Sequence, residues 1–163
     1  MPKIYSLIIL FFFCTKSFAQ SDTIQARIIL IGDAGKLNYG RQPVEDAARN
    51  LIPMDKKTTI IFLGNNLYNA NLPEDFSTGY EKAGAILDSQ INIAKGTDAR
   101  VVFIPGNHDW MDGGENGLEN VRRQESYIDF LGNRNIKYIP SDGCPGPVKY
   151  DISKDVIIIF YDS

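Results

Sequence analysis

The chain has 163 residues, of which 44% are hydrophobic, 23% charged and 11% aromatic, with a formal net charge of −3. That much apolar material builds the core of one ordinary domain and excludes global disorder. A mildly acidic chain lacks the basic stripe that holds a phosphate backbone, so no nucleic-acid partner is expected.

The N-terminus stands apart. Lys3 gives a positive start, residues 4–13 are apolar except Ser6, and Ser17-Phe18-Ala19 ends in a small residue before Gln20. This order reads as a secretory signal peptide over residues 1–19. Its apolar run is about half of the ~20 residues that a spanning helix needs. Export to the periplasm, the cell surface or the exterior is therefore expected, with no membrane association after cleavage. Phe12-Phe13 lack the small residues of a lipidation site, so Cys14 is not read as one. Removing the leader takes away Lys3 and Lys16 and no acid, which makes the mature charge 15 − 20 = −5. It leaves Cys144 as the lone cysteine, either buried or paired beyond the end of the chain.

Residues 20–163 repeat one pattern, in which an apolar, β-branched run meets a small or turn residue and then polar residues. The runs are 27–31 before Gly32-Asp33, 58–63 before Gly64-Asn65, 100–104 before Pro105-Gly106-Asn107-His108, and 156–161 before Asp162. Without alternation, such runs suit strands buried on both faces. Helices are predicted between them at 43–51, at 74–94, and over 118–131 from Leu118, Val121, Tyr127, Ile128 and Leu131. Shorter strands are predicted at 136–139 and 148–152, around a turn at Ser141-Asp142-Gly143. The alternation predicts an α/β layered sandwich with a mainly parallel central sheet, covered on both faces. The chain stops directly after its fourth strong run, so the expectation is a domain whose C-terminal part is missing.

In an open α/β sheet, ligands bind outside the carboxyl ends of the strands. There the sequence offers Asp33, Asn65 with Asn66, and Asn107-His108-Asp109. Oxygen donors and an imidazole suit hard or borderline cations. A glycine stands just before each group and is expected to let the chain turn sharply there.

Gly106-Asn107-His108-Asp109 resembles the GNH(D/E) motif of calcineurin-like metallophosphoesterases. Gly32-Asp33-Ala34-Gly35 resembles their GDxG motif in the purple-acid-phosphatase variant, and Gly64-Asn65-Asn66-Leu67-Tyr68 resembles GDxxY. The resemblance covers almost the whole mature chain. It implies a phosphate-ester substrate and two metal ions, Fe, Mn or Zn, held at one site. It implies Asp33, Asn65, Tyr68 and Asn107 as metal ligands, His108 acting on the substrate or leaving group, and Asp109 orienting His108. A metal pair clamps the attacking and leaving oxygens and lowers the pKa of bound water towards ~7.

The sequence departs from that pattern twice. Position 65 is Asn, and an amide offers one neutral oxygen where a metal bridge needs a negative group with two. The family's C-terminal VxxH and GHxH motifs supply further His ligands, and His108 is the single histidine of this chain. The leading expectation is a hydrolase scaffold impaired in this chain. The alternative is a truncated or pseudoenzyme remnant that binds at most one metal or a partner without catalysis. No GxxxxGK[ST] or GxSxG motif follows any strand, which disfavours a nucleotide-binding module and a serine hydrolase. Plainer readings stand beside the sharper ones: Tyr68 as a half-buried aromatic, Asn65-Asn66 as a turn, and Trp110 as a core cap.

Overall fold

The computed structural model describes residues 23–68, 72–74, 77–131 and 134–161. Residues 1–19, read above as a signal peptide, and Asp162 lie outside the described residues. Among the described residues no helix is long and apolar enough to cross a membrane.

The chain is α/β. It runs β1 (Arg27–Ile31), α1 (Pro43–Leu51), β2 (Thr58–Phe62), α2 (Tyr80–Ile91), β3 (Arg100–Phe103), α3 (Gly117–Phe130) and β4 (Ile136–Tyr138). These strands form one parallel sheet in the order β1-β2-β3-β4. Its register pairs Ile31 with Phe62, Phe62 with Phe103, and Phe103 with Tyr138. The carboxyl ends of the strands are therefore level, and the loops after β1, β2 and β3 leave the same edge.

Alternation along the strands divides the core in two. Ile31, Ile60, Phe62, Val101 and Phe103 pack on one face with Ile93, Val121 and Ile128. Phe62 and Phe103 stack there with ring centroids 4.8 Å apart. On the other face, Ile61 and Val102 meet Ile139 and Phe160. The expected burial on both faces holds for β2 and for most of β3. It fails at β1, an edge strand whose Ile28 and Leu30 are 40% and 60% exposed.

The run 156–161 does not join the parallel sheet. It forms β6 (Ile157–Phe160), paired antiparallel with β5 (Val148–Asp151) in a separate two-stranded sheet. Only residues 152–156 connect the two strands, and a parallel crossover needs a dozen or more. The helix expected from residue 74 starts at Tyr80, because Gly79 sits at φ +96, outside helical space. Leu118 and Leu131 are 41% and 42% exposed, so they do not mark the inner stripe of α3. That stripe includes two buried amides, Asn120 and Gln124.

Candidate functional site

The three loops at the carboxyl edge pack backbone against backbone. A Cβ on Gly64 would lie 2.6 Å from the Gly106 Cα, and one on Gly106 would lie 2.5 Å from the Asn65 nitrogen. Hydrogen bonds stitch the same loops together. Asp33 N donates to Gly64 O at 3.3 Å, and Tyr68 N to Gly35 O at 3.0 Å. From behind, Gln42 Nε2 and Gln90 Nε2 donate to Ala34 O at 2.7 and 3.0 Å.

The first turn lies one residue later than the sequence implied, at Asp33, whereas in the second the expected glycine, Gly64 at φ 93°, turns together with Asn65. Asp33 and Asn65 themselves hold left-handed conformations, with φ of 58° and 56°. Non-glycine residues held there cost about 1–3 kcal/mol and cluster at functional sites. Gly32 meets nothing within 4 Å of a built Cβ, so the first turn makes no demand for glycine at that position.

The side chains converge. Asp33 Oδ1 accepts from Asn65 Nδ2 at 2.9 Å and from the Tyr68 hydroxyl at 2.5 Å. Asn65 Oδ1 accepts from the His108 backbone N–H at 3.1 Å. That N–H can only donate, so it sets which way the amide faces. The Tyr68 and His108 rings lie 4.9 Å apart at 58°. Asn107 Nδ2 donates to Asp112 Oδ1 at 2.7 Å. The loops that bear Asp33, Asn65, Tyr68, Asn107 and His108 leave the same edge of the sheet.

The Tyr68 hydroxyl and then the Asn65 amide hold the Asp33 carboxyl below its ordinary range. The same bond to Asp33 raises the Tyr68 phenol. A carboxyl whose folded pKa is depressed contributes stability above its unfolded value and loses it as pH falls through the folded one. Tyr68→Phe removes the larger cause. Its stability should therefore fall less between mildly acidic pH and the acid limb than that of the parent, by denaturant titration at each pH. Identical acid limbs would contradict this.

Asp109 occupies a different place from the one expected. It is fully buried, and its two oxygens accept from the backbone N–H groups of Gly106, Asn66 and Leu67 and from Asn66 Nδ2 and Gln124 Nε2. Five donors fill the roughly four lone-pair sites of a carboxylate and leave none to orient His108. Burial pushes the Asp109 carboxyl up, against the N–H groups of Gly106, Asn66, Gln124 and Leu67. The carboxylate beside the imidazole is Asp112, whose Oδ2 lies 3.8 Å from His108 Nδ1.

Sequence reasoning missed Asp112, which stands four residues after His108 in an irregular loop. It also missed the buried amides. Asn120 links Leu72 N to the Asp109 carbonyl, and Gln90 ties Ala34 O to Asn66 O. Amides at inward helix positions were the available signal. Trp110 packs against the main core, in line with its reading as a core cap. Cys144 is free and exposed, so it is not buried.

The donor set does not fit a metal pair. Among the described residues there is no group of three or more His, Cys, Asp or Glu side chains placed to hold a metal. Among the described residues Asp33 is the one carboxylate bonded to Asn65 and Tyr68, and Asn65 turns its NH₂ toward it, while Asp112 stands beside His108 and is bonded to Asn107. One carboxylate with neutral oxygens from Tyr68 and Asn107 suits one hard cation at most. The cluster lies at an open edge, with Asp33 and Asn107 exposed and Asn65, Tyr68 and His108 half-buried.

No family model, curated protein or solved structure matches the chain.

Proposed function

We propose that the chain is part of an exported calcineurin-like phosphoesterase domain of the purple-acid-phosphatase kind, a scaffold for phosphate-ester hydrolysis that is impaired here. One observation carries this reading. Loops after three consecutive parallel strands bring Asp33, Asn65 and Tyr68 into one hydrogen-bonded cluster that is tied to the third loop, which bears Asn107 and His108, through the His108 main-chain N–H. In such domains metal ions supply positive charge and an activated water to the phosphoryl group.

The chain's own residues divide the remaining work. Asp33 brings the negative charge that attracts a cation, and Tyr68 and Asn65 hold it in place. His108 stands half-buried over the Tyr68 ring, within reach of Asp112, where an imidazole can offer a proton to a phosphate or leaving-group oxygen. The unmatched donor set favours a second reading, a remnant that binds one cation without turnover.

Two measurements test the proposal. Inorganic phosphate followed by ³¹P NMR should broaden with Mn²⁺ and this protein together, and much less with Asp33→Ala or His108→Ala. Equal broadening by all three proteins would remove the site. Hydrolysis of a generic phosphate ester should stay near background under Mn²⁺, Zn²⁺ or Fe. Robust turnover by the unmodified chain would show that other ligands complete the centre.

A further inference from the structure

Asn65 is bonded at both ends of its amide. Its Nδ2 donates to Asp33 Oδ1 at 2.9 Å, and its Oδ1 accepts from His108 N at 3.1 Å. The fit around it is tight, since a Cβ on Gly106 would lie 2.6 Å from Asn65 Oδ1. The residue sits in a left-handed conformation on the loop that also bears Tyr68. We infer that Asn65 is a lock that closes this site without metal, joining the Asp33 carboxylate to the main chain of the third loop so that no cation is needed between them. The inference deepens the phosphoesterase reading and rests on it for the statement that a metal would otherwise bridge this place.

The chemistry of the alternative residue explains why. An aspartate at 65 keeps an oxygen for the His108 N–H. Its second oxygen then falls where Nδ2 now lies, against Asp33 Oδ1. Two carboxylates that close cannot both ionise unless a cation comes between them. The amide removes that repulsion and adds a hydrogen bond. It also directs an N–H hydrogen at the carboxylate oxygen that a bridging metal would use.

Thermal unfolding in excess chelator and in millimolar Mn²⁺ tests the lock. Three proteins are compared: the parent, Asn65→Asp, and the reversed pair Asp33→Asn with Asn65→Asp. In chelator, Asn65→Asp should melt about 5 °C or more below the parent, and the reversed pair should recover most of that loss because one amide again faces one carboxylate. Mn²⁺ should raise the Asn65→Asp midpoint by several degrees and the parent by less than about 2 °C. The lock is overturned if Asn65→Asp matches the parent in chelator, or if the parent itself loses stability there. If Asn65→Asp does not fold in chelator, the reversed pair decides, since its failure to recover also overturns the lock. A loss in chelator that Mn²⁺ does not repair upholds the lock and rejects the phosphoesterase reading instead.

Discussion

Replacing Asp109 by alanine is expected to cost about 4 kcal/mol or more, a large share of the stability of a domain. The variant strands the N–H groups of Gly106, Asn66 and Leu67 and the side-chain amides of Asn66 and Gln124, all of which now end on its two oxygens. A buried donor left without an acceptor costs about 1–3 kcal/mol, and a domain holds only about 5–15 in total. Asp109→Asn should be milder but still damaging, because its NH₂ turns against donors. Equilibrium denaturation by circular dichroism checks both. A loss below about 1 kcal/mol for alanine would mean that water replaces the carboxylate, which is the usual fate of exposed groups and not of buried ones. Because these bonds join the second and third loops, His108 should also lose its place over Tyr68.

Gly106→Ala is expected to be nearly as costly, through shape alone. The new Cβ meets the Asn65 nitrogen at 2.5 Å, its Oδ1 at 2.6 Å and the Gly64 carbonyl carbon at 3.0 Å, and backbone atoms cannot rotate away. Gly64→Ala meets Gly106 Cα at 2.6 Å and adds a left-handed φ of 93° that disfavours any side chain. Each change should cost about 3 kcal/mol, a drop in melting temperature on the order of 10 °C for a chain of this size. Gly32→Ala is the matched control. It lies in the same kind of motif and meets nothing within 4 Å, so it should shift the midpoint by less than about 2 °C. Equal losses at Gly32 and Gly106 would contradict the packing of the loops described here.

Much of this arrangement was legible in the residues. Unbroken apolar runs ending in a turn and a polar group located β1, β2 and β3 within a residue, and their order put Asp33, Asn65 and Asn107 at one edge. The placement of β6 was not legible. An apolar run has no direction, and only the short connection from β5 decides that it turns back antiparallel. Nor was the role of Asp109 legible, because its five donors come from residues 3 to 43 positions away in the chain. Asp112 escaped for a local reason. Met111 and Asp112 both take positive φ, at 53°, and this irregular turn brings the carboxylate back beside His108.

Paramagnetic line broadening by Mn²⁺ in a ¹⁵N-labelled sample tests most directly whether these loops form one cation-attracting site. It detects even weak, partial occupancy. At substoichiometric Mn²⁺, the amide signals of residues 33–35, 65–68 and 107–112 should fade together, ahead of those near surface acids such as Asp151 and Asp155, and Asp33→Ala should abolish the effect. Broadening that begins at surface acids and spares those three loops would contradict a shared site at the carboxyl edge of the sheet.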